Sequence, residues 1–86
     1  KIPIKSKLTV RMEKDGYLIF NTETSGFHLL SKDAYEVLKK CDGKKTLNEI
    51  IVFFSKKRKE PIEELRKQFV DFFKKLEERK IIKWKR

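Results

Sequence analysis

Alternating apolar and polar positions mark strands in the first third of the chain. Leu8, Val10 and Met12 alternate with polar neighbours, and this period of two predicts a strand with one buried face. An Asp-Gly hairpin signal and then a polar turn cluster separate it from two further apolar runs. The pattern therefore predicts an antiparallel three-stranded meander. Its predicted strands are residues 8–13, 17–21 and 26–30.

The remainder of the chain has helical spacing. Ser31 is a candidate N-cap, Thr46 and Glu49 form a capping-box pattern, and Pro61 suits the first turn of a helix. An extended segment closes the chain, and its Trp84 is predicted to pack back on the core. The predicted helices are residues 32–41, 47–58 and 61–79.

The third helix has the clearest pattern. Its apolar residues follow spacings of three and four, which predicts one stripe that faces the core. Val70 and Phe73 lie beside this stripe and widen the apolar arc. They are either part of a wider core or the wall of an apolar groove. The stripe consists of Ile62, Leu65, Phe69, Phe72 and Leu76.

Length and composition limit the possible functions. Eighty-six residues predict one domain, 1–86, of the α+β class: a meander followed by three helices, in a winged helix-turn-helix-like arrangement. One Cys and one His cannot form a metal cluster without carboxylates, and three glycines form no phosphate loop. We therefore expect a binding module, without catalysis, cofactor or metal. The single cysteine favours a reducing cytoplasm, and no apolar run is long enough to span a membrane.

The positive charge is concentrated in the second half. The chain carries 23 basic and 13 acidic residues, a net charge of +10. Residues 1–43 include 8 basic and 6 acidic residues, whereas residues 44–86 include 15 basic and 7 acidic residues. The densest basic run is 56–59. Such a field attracts anionic partners, either a nucleic acid or an acidic peptide, although a lysine-rich surface can also serve solubility alone.

One set of local motifs resembles a known family. Three segments carry this resemblance, in the order in which the family has them. They are Leu30-Ser31-Lys32-Asp33-Ala34, the turn Cys41-Asp42-Gly43, and Thr46-Leu47-Asn48-Glu49-Ile50. Together with the meander, they resemble the PqqD-like family, also called RiPP recognition elements, over residues 8–85. Two positions depart from the family pattern: Leu38 stands where Trp is frequent, and Lys80 where Gly is usual.

The resemblance implies a specific function. Such domains bind the leader segment of a ribosomally made precursor peptide as an added strand on the third strand of the meander, against helix three. They present it to a modifying enzyme such as a radical-SAM protein, a cyclase or a leader peptidase. Leaders of this class are often acid-rich, which suits the basic charge. The implied site comprises Phe27, His28, Leu29, Leu30, Arg66, Phe69, Val70, Phe73 and Lys74.

Other partners remain open. A winged-helix-type nucleic-acid binder would also combine three helices, a small sheet and a basic half. However, its strands mostly follow the helices, and the third helix here carries five acidic residues instead of the Arg, Asn and Gln that are typical of a recognition helix. We therefore favour a peptide as partner over a nucleic acid, and the winged-helix-type nucleic-acid binder is the alternative. An open strand edge would also allow pairing with a second copy of the chain.

Overall fold

The computed structural model describes residues 2–85, so the first and last residues of the predicted domain lie outside the described part. The predicted meander and three helices are confirmed, which makes this an α+β fold. One strand precedes the meander and one follows the helices. The elements are β1 (Ile2–Lys5), β2 (Leu8–Glu13), β3 (Gly16–Asn21), β4 (Gly26–Leu30), α1 (Lys32–Lys39), α2 (Leu47–Arg58), α3 (Ile62–Glu78) and β5 (Ile82–Lys85).

The meander forms an antiparallel sheet in the order β2-β3-β4. The first hairpin closes on the pair Glu13↔Gly16, so two residues form its turn. Gly16 lies within β3 and has no positive φ. It is required for a different reason, because a Cβ at this position would collide with the backbone oxygen of Leu30 on the neighbouring strand. Gly16 therefore allows β3 and β4 to approach closely.

The prediction that β2 has one buried face is wrong. Leu8 packs partly on the core, but Val10 is 38% exposed and Met12 is 73% exposed. The reason is that α1 packs mainly on β3 and β4, whereas β2 lies at the edge of the sheet away from these contacts. Alternation identified the strand and the shared face, but it does not indicate whether a layer covers that face.

A second, two-stranded sheet was not predicted. β1 pairs antiparallel with β5, with Ile2↔Lys85 and Pro3↔Trp84 as partners. The N–H of Lys5 also donates to the carbonyl oxygen of Cys41 at 2.9 Å. The two ends of the described chain are thus held side by side. The predicted packing of Trp84 is confirmed, since its ring centroid lies 6.0 Å from that of Phe73.

The core lies between the meander and the helices. Cys41 is fully buried in it, and burial raises the pKa of its thiol to about 12, with Asp42 adding to this and Lys5 opposing it. The thiol is therefore protonated at neutral pH and acts as a small apolar side chain. The other large, fully buried side chains include Ile19, Leu38, Ile50, Ile51, Phe54, Leu65, Phe73, Leu76, Ile81 and Ile82.

The turn after α3 connects both sheets. Lys80 has a left-handed φ of 59°, its N–H donates to the Glu77 oxygen, and the Ile81 N–H donates to the Leu76 oxygen. These two bonds are a Schellman motif, in which glycine is preferred at the left-handed position. The Lys80 carbonyl oxygen accepts from Ser6 Oγ and from Asn21 Nδ2, each at 2.8 Å. The left-handed φ explains why the resembled family usually has Gly at this position, whereas nothing in the structure explains the Lys80 of this chain.

Replacing Lys80 with Gly is expected to stabilise the domain by about 0.5–1 kcal/mol. Glycine removes the steric cost of about 1–2 kcal/mol that an L-residue has in this region, while its larger entropy in the unfolded chain offsets part of the gain. Urea unfolding measures the difference. Arg79→Gly, one residue earlier at φ −86°, should instead destabilise the domain. A destabilised Lys80→Gly variant would contradict the strain argument.

Candidate functional site

β4 has an open edge. Within residues 2–85, the only strand that pairs with it is β3. The two-residue turn at Glu13↔Gly16 makes that pair hydrogen-bonded, and alternation along the ladder then directs the backbone of residues 17, 19 and 21 toward β4. Their partners in β4 are residues 30, 28 and 26. The N–H and C=O groups of Phe27 and Leu29 therefore point away from the sheet, as a template for another strand.

Apolar side chains surround this edge on the outer face of the sheet. Phe27 is 65% exposed and Leu29 is 68% exposed. They lie opposite Phe20 and Leu18 of β3, which are half-buried, and the ring centroids of Phe20 and Phe27 are 4.8 Å apart. The outer face thus carries an apolar patch next to unpaired backbone groups. Contiguous exposed apolar surface of this kind is typical of an interaction site.

A cavity of about 170 Å³ lies between α1, the end of α2 and α3. We call it the α1–α3 cavity. Its first α1 residue, Asp33, follows the last residue of β4 by three positions, so the cavity begins next to the Leu30 end of this strand. The guanidinium of Arg58 packs over the Phe54 ring, 4.9 Å from Cζ to the ring centroid. The residues that line the cavity are Asp33, Ala34, Val37, Arg58, Gln68, Phe69 and Phe72.

A larger groove of about 380 Å³ lies on the opposite flank of α3. We call it the α2–α3 groove, because its walls are the start of α2, α3 and β5. Successive helical residues are about 100° apart, so Val70 and Lys74 project away from the flank that carries Gln68 and Phe72. The residues that line the groove are Thr46, Leu47, Asn48, Val70, Phe73, Lys74, Glu77 and Trp84.

The structure divides the predicted site residues between these places. Residues 27–30 lie together on β4, with His28 half-buried and Leu30 buried. Phe69 lies in the α1–α3 cavity, whereas the α2–α3 groove brings Val70, Phe73 and Lys74 together. Phe73 is 1% exposed and belongs to the core, so the wider-core interpretation holds for it. Val70 is 47% exposed.

Arg66 has an internal partner, since its Nη1 donates to Asn48 Oδ1 at 2.9 Å. No residue of β4 lines the α2–α3 groove within the described chain.

Of the seven residues that line the α1–α3 cavity, the sequence-predicted site contained only Phe69. Phe72 was assigned to the core stripe, yet it is only half-buried and borders the cavity. Gln68 lies one turn before it on the same flank. Arg58 stands within the basic run 56–59, where all four side chains look equivalent. The sequence does contain one feature that distinguishes Arg58 from its neighbours. It follows the core residue Phe54 by four positions, which places both on one face of α2.

The described residues contain neither a metal-binding cluster nor a membrane-spanning helix. Within residues 2–85, no group of three or more His, Cys, Asp or Glu side chains is arranged to hold a metal ion. None of the helices described is long and apolar enough to cross a bilayer.

The ion pairs are exposed, as between Lys83 and Glu23 at 3.2 Å and between Lys57 and Glu36 at 3.5 Å, so each contributes little to stability.

This domain is an α+β domain in which a three-stranded meander is followed by three helices. One edge of the meander is open, and an apolar patch lies along it. The family model for coenzyme PQQ synthesis protein D (PqqD) matches residues 16–82. The chain therefore belongs to the PqqD family and is a PqqD-like RiPP recognition element. The match begins at β3 and leaves β1 and β2 outside, a narrower span than the predicted resemblance over 8–85. Searches of curated proteins and of solved structures find no match.

Membership in this family associates the chain with PQQ- or RiPP-type peptide biosynthesis. The family consists of small accessory proteins that work with peptide and enzyme partners.

Proposed function

We propose that this domain binds the leader segment of a ribosomally made precursor peptide as an added strand on β4 and delivers it to a modifying enzyme. The observation that carries the proposal is the open edge of β4, where Phe27 and Leu29 combine outward backbone groups with exposed apolar side chains. Backbone pairing supplies affinity at such an edge, and pockets for alternate side chains supply selectivity.

The added strand would present its side chains to two different surfaces. Side chains alternate between the two faces of a sheet. One set would lie on the outer face beside Phe27 and Leu29. The other set would point toward the helices, near half-buried His28 and the α1–α3 cavity. A peptide of alternating character would therefore fit better than a uniformly apolar one.

The flank of α3 that receives the peptide follows from the position of α1. α1 packs against β3 and β4, whereas α3 packs mainly against α2 and β5. Phe69 and Phe72 share the α1–α3 cavity with the first turn of α1, so we place the peptide on this flank of α3. Val70 and Lys74 remain candidates only for a peptide that extends into the α2–α3 groove.

Charge favours an acidic peptide. The net charge of +10 raises the encounter rate with an acid-rich leader, and this effect weakens as salt is added. Catalysis would reside in the partner enzyme, for example a radical-SAM protein, a cyclase or a leader peptidase. The domain itself would supply recognition without a cofactor.

The test is a selection of short random peptides displayed on phage against the whole chain, with the precursor peptides encoded beside its gene included. Selected peptides are then titrated by fluorescence anisotropy at about 50 and 200 mM salt, beside a random DNA duplex. We expect peptide binding that survives the higher salt and DNA binding that collapses. Salt-sensitive DNA binding without any selected peptide would instead support the winged-helix alternative and refute the proposal.

A further inference from the structure

One nitrogen of Arg58 is buried without a partner. Nη2 is inaccessible to solvent and forms no hydrogen bond with any residue that the structure describes. The guanidinium packs over the Phe54 ring, and Arg58 is one of the residues that line the α1–α3 cavity. Arginine carries five N–H donors and stays charged in proteins, so a buried donor without an acceptor is unfavourable. Such exceptions in native structures call for an explanation, and an absent ligand is one.

Neighbouring cations do not share this property. The ammonium of Lys57 pairs with Glu36 across α1 and α2, and Arg66 donates to Asn48 on the other flank of α3. Asp33 borders the same cavity as Arg58, but among the described residues no ion pair joins the two. The cavity therefore offers space for an acidic group beside the charged side chain of Arg58. At about 170 Å³ it exceeds the roughly 30 Å³ of a single water several-fold.

We infer that the α1–α3 cavity receives an acidic side chain of the bound peptide, whose carboxylate pairs with the guanidinium of Arg58. This inference rests on the proposed peptide binding at β4. The planar guanidinium can bind both oxygens of a carboxylate, which gives directional selectivity as well as attraction. The cavity walls from Val37, Phe69 and Phe72 are apolar and suit the methylene stem of a glutamate.

The position of this acid in the peptide follows from the direction of the strands. Every pair in this sheet is antiparallel, so we place the peptide antiparallel to β4. Its first paired residue then lies opposite the Leu30 end, where α1 and the cavity begin. The acid therefore belongs at the N-terminal end of the paired segment or just before it. An acid at the other end would lie near Gly26 and far from Arg58.

The test compares each selected peptide with its Glu-to-Gln counterpart on the wild-type chain and on three variants of it. On the wild-type chain, the Gln peptide should bind about tenfold or more weakly. On Arg58→Gln the two peptides should bind within about twofold of each other, and Arg58→Lys should give an intermediate ratio. Lys57→Gln is the matched control, because it removes one positive charge from the neighbouring position while Arg58 remains.

The outcomes separate this inference from the proposed function. Selected peptides that lack an enriched acidic position, or a Glu-to-Gln ratio that Arg58→Gln does not change, would overturn the inference and leave strand addition at β4 intact. A ratio that depends on Arg66→Gln instead would place the acid on the other flank and also overturn it. Failure to select any peptide that requires the β4 edge would remove the proposed function itself.

A further variant combines the Tm of the free chain with the preference for Glu over Gln peptides. Arg58→Met replaces an unpaired buried donor with a flexible apolar side chain of similar length. We expect a Tm at least as high as that of the wild type, together with loss of the preference for Glu over Gln. A marked drop in Tm would show that Arg58 has a structural role in the free chain and would overturn the inference.

Discussion

Leu29→Pro is expected to lower peptide affinity about 100-fold or more while the domain remains folded. The N–H of Leu29 points away from β3, so proline removes no bond of the existing sheet, and edge strands accept proline at such positions. The added strand loses this donor, leaves a carbonyl unsatisfied at a cost of about 1–3 kcal/mol, and meets the pyrrolidine ring. Anisotropy titration of the selected peptides measures the loss, and thermal unfolding verifies the fold.

Two neighbouring variants make this result specific. His28→Pro removes an N–H that pairs with β3 opposite Ile19, so it should destabilise the domain instead of acting on binding alone. Leu29→Ala keeps the backbone donor and removes only the exposed side chain, so it should weaken binding much less than Leu29→Pro. A folded Leu29→Pro variant with unchanged affinity would rule out strand addition at this edge.

Local patterns were sufficient for most of the fold. Period-two alternation identified β2, and helical spacing with N-caps identified the helices. The predicted capping box is confirmed: Glu49 N–H donates to Thr46 Oγ1 and Thr46 N–H donates to a Glu49 carboxylate oxygen. The hydrogen bond from the Thr46 N–H to the Glu49 carboxylate, with a further contribution from the Thr46 side chain, lowers the pKa of Glu49. Such features depend on residues within one or two turns, which a sequence displays directly.

Non-local pairing left no comparable signal. β1 is a four-residue segment with a proline, Pro3, and its partner β5 lies at the other end of the chain. Proline inside an apolar run argues against a strand unless that strand lies at an edge, as β1 does here. The exposure of Val10 and Met12 has the same origin, since only the packing of distant helices decides which strands they cover.

The site was predictable only along β4. The resemblance directed attention to residues 27–30, and the register then explained why the backbone of Phe27 and Leu29 is available. Periodicity defined the apolar arc of α3 but not the neighbours of each flank. The spacing of four residues from Phe54 distinguishes Arg58 within the run 56–59, but only tertiary packing shows that one of its nitrogens is buried.

Phe73→Ala is expected to destabilise the domain by about 3–5 kcal/mol, a large part of the roughly 5–15 kcal/mol that stabilises a typical domain. Phe73 is 1% exposed, and its ring centroid lies about 6 Å from those of Phe69, Phe72 and Trp84. Truncation would leave a cavity at the contact between α3 and β5 and weaken the link to β1. Urea unfolding measures the cost.

Val70→Ala and Phe73→Leu separate stability from binding in the α2–α3 groove. Val70 lines the same groove but is 47% exposed, so its truncation should change stability by less than about 1 kcal/mol. Phe73→Leu keeps most of the volume and should remain folded, at a cost of about 1.5 kcal/mol or less. We expect both to bind selected peptides within about threefold of the wild type, since a factor of ten corresponds to 1.4 kcal/mol. A larger loss in either folded variant would show that the peptide extends into this groove, because neither change affects β4 or the α1–α3 cavity.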